Sequence, residues 1–94
     1  MSSQNRCAKA TVTILNKLGL HARPAMAFVD AANTFSADVR VSKGSQSVDG
    51  KSIMQMMILG ATQGTRLQIE ASGEDADDAI ATLRELIESK FDEE

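Results

Sequence analysis

The stretch Arg66-Leu67-Gln68-Ile69-Glu70-Ala71-Ser72-Gly73-Glu74-Asp75-Ala76 contains a change of period. In its first half Leu67, Ile69 and Ala71 alternate with Arg66, Gln68 and Glu70, which predicts a strand with one face toward a core. Ser72-Gly73-Glu74-Asp75 breaks the alternation. Beyond it Ala76, Ala79, Ile80, Leu83, Leu86, Ile87 and Phe91 recur at three- and four-residue spacing, the stripe of an amphipathic helix. Acids at Glu74, Asp75, Asp77 and Asp78 fall in or just before its first turn, where the helix dipole favours negative charge. A one-faced strand feeding a one-striped helix predicts the α+β class, with helices laid on a sheet.

Upstream, residues 9–15 alternate in the same way, Ala10, Val12 and Ile14 against Thr11 and Thr13. Residues 16–20 end that pattern and lead to His21. Residues 22–33 predict a helix on Ala25, Val29 and Ala32, with Met26 and Phe28 flanking the stripe. Pro24 is tolerated only in a first turn, so the helix starts at or just before it. Residues 38–42 turn Val39 and Val41 inward, residues 43–45 form a turn, and Gln46–Asp49 returns around Val48 as a hairpin. Residues 52–59 are apolar on nearly every side and predict a short helix with Ser52 as N-cap and Gly60 near its end. The order is β-α-β-β-α-β-α. Its economical packing is a four-stranded, mainly antiparallel sheet with the three helices on one face. Thr11, Thr13, Arg40, Gln68 and Glu70 would meet water on the other. The polar residues 1–6 and the acidic residues 92–94 are expected to fray.

Ninety-four residues with 43% hydrophobic and 24% charged content suit one small domain, residues 1–94, that needs no staple. Its single Cys, Cys7, cannot form an internal disulfide, and no stretch reads as a secretory signal, so a cytoplasmic protein is expected. No apolar run reaches transmembrane length, so no membrane insertion is expected. One His and one Cys build no zinc site of familiar spacing; neither a metal nor a cofactor is expected. A net charge of −3 with no Trp or Tyr argues against nucleic acid as a partner.

Two stretches carry chemistry. In Gly19-Leu20-His21-Ala22-Arg23-Pro24-Ala25 the only imidazole stands at a loop-to-helix junction. Helix starts expose backbone N–H groups and partial positive charge, and Arg23 adds a guanidinium suited to phosphate oxygens. An imidazole there is placed to take a phosphoryl group without a metal. The plainer reading makes His21 a surface or capping residue, and spacing alone favours it. In Val48-Asp49-Gly50-Lys51-Ser52-Ile53-Met54-Gln55-Met56-Met57 a short helix cannot bury every large side chain. Some of Ile53, Met54, Met57 and Ile58 should stay exposed as a partner-docking patch, unless a small domain simply buries them. Ser52 reads as an N-cap and, functionally, as a phosphorylation site whose added charge suits the helix start.

Together these stretches resemble the histidine-containing phosphocarrier (HPr) family of the bacterial phosphoenolpyruvate-dependent sugar phosphotransferase system. Residues 19–25 look like its active-site signature, and Lys51-Ser52-Ile53-Met54 with Leu59-Gly60 like its serine-phosphorylation segment. The similarity runs from about residue 9 to about residue 90. It implies an open-faced β-sandwich fold and a cytoplasmic, monomeric phosphocarrier, not an enzyme in its own right, whose His21 takes a phosphoryl group on Nδ1 from enzyme I. The phosphohistidine then passes the group to IIA components for sugar transport. Arg23 would stabilise the phosphate, and the backbone amides after His21 would complete the site. HPr kinase/phosphorylase would phosphorylate Ser52, and regulators would respond to that form. Ile53, Met54 and Met57 match the family's exposed docking patch, whereas Met56 and Leu59 match core positions. Asp30 and Asn33 stand where members often carry Lys, Leu18 where a small polar residue is frequent, and Ile58 where a polar or small one is common. The basic rim is thereby reduced to Arg23, Lys17 and Lys51, which slows encounter with an acidic partner more than it alters chemistry. The competing readings are a regulatory HPr-like protein acting through Ser52 and docking rather than transport, and, with little support, a hydrolase using His21.

Overall fold

A computed structural model describes residues 6–92. Strand β1 (Cys7–Thr13) leads to helix α1 (Ala22–Ala32), the hairpin β2 (Asp38–Lys43) and β3 (Gln46–Asp49), the short helix α2 (Ile53–Leu59), strand β4 (Arg66–Ser72) and helix α3 (Ala76–Glu88). A 3-10 turn over Lys90–Asp92 follows. The four strands form one sheet in the order β1-β4-β2-β3, with every neighbouring pair antiparallel. The helices cover one face.

The period-two reading holds because β4, the inner strand that both β1 and β2 flank, puts Leu67, Ile69 and Ala71 inward, each at most 2% exposed. Val12, Val39, Val41 and Val48 join them from the other strands. The core is completed by Phe28 and Val29 of α1, Met56 and Leu59 of α2, and Ile80, Leu83 and Ile87 of α3. On the open face the register aligns Lys9, Glu70, Arg40 and Asp49 across all four strands. Their alternating signs favour that register.

Several boundaries differ from the sequence reading. Strand β1 begins at Cys7, where it pairs with Ser72, and leaves the ladder after Thr13 because β4 begins at Arg66. Ile14 then bonds the turn before β4, donating to Thr65 O and accepting from Gly64 N. Phe91 does not extend the α3 stripe: the helix ends at Glu88, and left-handed backbone at Lys90 and Phe91 turns the ring into the core instead. Arg6 is held, accepting a hydrogen bond from Gly73 N at 2.9 Å; the expectation of fraying for residues 1–5, 93 and 94 lies outside the described residues.

Asp75 also differs from expectation. It occupies the N-cap of α3, yet its carboxylate does not cap that helix. It accepts instead from the backbone N–H groups of Ser36 and Ala37 at 2.9 and 2.8 Å, fastening α3 to the loop before β2. The Ser36 hydrogen bond is the leading cause that holds its pKa below the ordinary carboxylate value, against a smaller opposing effect of burial.

Candidate functional site

His21 is the N-cap of α1. Its backbone is extended (φ −84°, ψ −169°), and its carbonyl accepts the first helical hydrogen bond from Ala25 N at 3.0 Å. The side chain makes no capping bond, so the capping reading of this residue is set aside. The ring is half-buried, and its Nε2 is shielded from solvent. Pro24 at the third helical position has no N–H, which leaves Ala22 and Arg23 to supply the amides that precede intrahelical bonding. Arg23 is exposed and makes no ion pair among the described residues. A shallow depression beside the ring is lined by Leu18, His21, Ala22, Arg23 and Met26.

The loop that presents His21 is rigid for readable reasons. Gly19 takes a left-handed backbone, φ +69°, and lies so close to the turn after α2 that a Cβ there would meet Ala61 O at 2.6 Å. Gly19 N–H donates to Asn16 O at 3.0 Å, and Leu20 N–H donates to Ala61 O at 2.8 Å. The Asn16 carboxamide, fully buried, donates to Gly19 O at 2.7 Å.

Helix α2 lies against α1 and begins at Ser52. Ser52 Oγ accepts from Gln55 N at 3.2 Å, and Gln55 Oε1 accepts from Asp49 N at 2.8 Å. Ser52 is therefore the N-cap, as its position in the sequence predicts. Asn33 at the end of α1 donates to Lys51 O at 3.3 Å, while the residues after α2 contact the loop before His21. The two helices thus run in opposite senses, and α2 separates Ser52 from the His21 end by its seven residues, about 10 Å of helix.

The structure sorts the apolar residues of this segment. Met56 and Leu59 are buried, whereas Ile53, Met54, Met57 and Ile58 are exposed, Met54 at 72%. Seven residues present one narrow inward stripe, so the rest face water. Leu18 and Met26, exposed at 76% and 54%, flank His21 and enlarge the apolar surface beyond what the sequence suggested. Of the expected basic rim, Lys17 is exposed, but Lys51 is half-buried and its ammonium donates to Phe35 O at 2.8 Å. Asp30 is exposed, and Asn33 donates to Val29 O at 2.9 Å as it closes α1. Asn16 escaped the sequence reading altogether. An Asn three residues before a Gly is ordinary turn grammar, and nothing local reveals its burial. Among the described residues no helix is long and apolar enough to cross a membrane, and no cluster of His, Cys, Asp and Glu is placed to hold a metal.

Comparison with known proteins bears on this arrangement. A family model described as the PTS HPr component phosphorylation site matches residues 8–89. The phosphocarrier protein HPr of Pseudomonas aeruginosa is 51% identical over 83 residues, covering 87% of this chain and 92% of its own. A crystal structure of HPr from Thermoanaerobacter tengcongensis superimposes with a TM-score of 0.90 at 48% identity, over 93% of this chain and 98% of that one. An HPr dimer from the same organism matches with a TM-score of 0.73 at 49% identity, over 87% and 94%. Matched along nearly its whole length in sequence and in fold, the chain belongs to the HPr family of phosphotransferase-system phosphocarriers, which are carriers rather than enzymes.

Proposed function

We infer that His21 is the residue this carrier phosphorylates, that it accepts the group from enzyme I, and that it donates it to IIA components in sugar transport. The observation that carries the reading is the imidazole at the N-cap of α1 that does not cap, with the Arg23 guanidinium two residues on. With Nε2 turned inward, Nδ1 is the nitrogen offered to a phosphoryl donor. The Nδ1 lone pair attacks phosphorus as the bond to the donor's leaving group breaks. The amides at the start of α1 and Arg23 meet the charge on the transferred oxygens. The apolar surface of Leu18, Met26, Ile53, Met54 and Met57 is the docking face, with Lys17 at its rim. Lys51, tied to Phe35, orders the Ser52 loop and contributes to that rim only through its position. The reading takes the carrier to act as a monomer in the cytoplasm.

Ser52, capping the helix that carries this face, is the regulatory site on which HPr kinase/phosphorylase acts. A phosphate there adds about −1.5 to −2 charge to the docking surface and opposes phosphorylation of His21. The thinned basic rim also supports a second reading, a relay whose output is regulatory rather than transport. In that case His21→Ala keeps partner binding and Ser52→Asp changes it.

One experiment tests the main reading. Incubation with phosphoenolpyruvate and enzyme I should add one acid-labile phosphoryl group to the wild type and none to His21→Ala. Arg23→Ala and Ser52→Asp should react more slowly. An unchanged wild-type mass, or an adduct that persists in His21→Ala, overturns the assignment. Equal rates for Ser52→Asp and wild type across a range of salt remove Ser52 from the regulation.

A further inference from the structure

Among the described residues Asn16 is the one polar or charged side chain that is buried, at 0% exposure. Burying a carboxamide is costly unless it is hydrogen-bonded, and the amide of this one reaches a backbone carbonyl three residues on, two before His21. Its Nδ2–H donates to Gly19 O at 2.7 Å. The N–H on the other side of that same peptide unit, Leu20 N–H, donates to Ala61 O at 2.8 Å. The Gly19–Leu20 peptide is therefore clamped at both ends, by Asn16 on its carbonyl and by the turn after α2 on its amide. Gly19 N–H, bonded to Asn16 O at 3.0 Å, closes the ring behind it. Leu20, 5% exposed, plugs the core directly before His21. From the clamped peptide to the imidazole there remain only the torsions of Leu20 and those of His21 itself.

We propose that Asn16 is a positioning residue for phosphoryl transfer: by fixing the Gly19–Leu20 peptide it sets the angle at which His21 Nδ1 meets the phosphoryl donor. This rests on His21 being the phosphorylated residue. In this role Asn16 acts through the backbone before His21, so its effect falls on the transfer step more than on docking. Most of the docking face lies on α2 and on the exposed side of α1, and only Leu18 and Lys17 come from the loop that Asn16 braces. A misplacement of about 1 Å at a reacting atom lowers rates by about a hundredfold, so freeing one end of the clamp should cost about ten- to a hundredfold.

The test uses Asn16→Asp, which keeps the shape but turns an acceptor toward Gly19 O, and Asn16→Ala, which removes the donor. Ile69→Val, a core variant remote from the loop, controls for lost stability. All are assayed as substrates of enzyme I at a temperature where melting curves show them folded. Both Asn16 variants should lower kcat by about ten- to a hundredfold with KM within about twofold of wild type. They should also shift the Leu20 and His21 amide and His21 ring resonances, while Ile69→Val does neither. Unshifted His21 resonances, an unchanged kcat, or a fall matched by Ile69→Val would each overturn the proposal. If the wild type itself is not phosphorylated on His21, the functional reading fails instead.

Discussion

Gly19→Ala tests how tightly the His21 loop is pressed onto the turn after α2. Two effects oppose the substitution. The left-handed backbone at φ +69° costs a residue with a Cβ about 1–2 kcal/mol, offset in part by about 0.4–1 kcal/mol from a less flexible unfolded chain. The new Cβ would also stand 2.6 Å from Ala61 O and 2.8 Å from Thr62 Cα, backbone atoms that cannot swing aside. Forcing such a contact costs about 1–3 kcal/mol. Gly44, in the β2–β3 turn, isolates the second effect: its φ is +59° and an added Cβ meets nothing within 4 Å. Subtracting one variant from the other cancels the backbone terms. Gly19→Ala should be about 1–3 kcal/mol less stable than Gly44→Ala, and should melt about 4–20 °C lower in a domain of this size. With no Trp or Tyr, the assay is urea unfolding followed by far-ultraviolet circular dichroism, comparing midpoints at equal m-values. Coincident midpoints would refute the argument, because they would mean that the loop moves off Ala61 and Thr62 at no cost. Phosphorylation of His21 should slow in Gly19→Ala and not in Gly44→Ala.

Ser52→Ala removes the hydroxyl that accepts from Gln55 N and should destabilise the protein by about 1 kcal/mol, read as a lower urea midpoint; no shift would show that the cap is dispensable. Asp75 gives a pH dependence. Its folded pKa lies below the ordinary 3.8, so its contribution is complete above that value and is lost as pH falls through the folded pKa. Wild type should therefore lose stability more steeply than Asp75→Asn between about pH 5 and pH 2, and parallel curves would contradict the clamp on Ser36 and Ala37.

Much of the fold is legible because burial follows period. Leu67, Ile69 and Ala71 could face one way only in a strand, and Ala79, Leu83 and Ile87 only in a helix. Pro24 fixed the start of α1 and hence the placement of His21, since its missing N–H is harmless only in a first turn. Ser52 announced its cap by the same local logic. Phe91 misled because its apolar character continued the helical spacing, while two left-handed residues carried it into the core by another path.

By itself the sequence determined the strand and helix periods, the junction at which His21 and Arg23 stand, and the excess of apolar residues on a helix too short to hide them. These depend on neighbours within a few positions, where φ/ψ preference and side-chain direction decide. Only the tertiary structure decided which polar groups are spent internally. Lys51 gives its charge to Phe35 O, Asp75 its carboxylate to Ser36 and Ala37, and Asn16 its amide to Gly19 O beneath the turn at Ala61. A long-range hydrogen bond leaves no period in the chain, and burial of a single polar side chain depends on what folds over it.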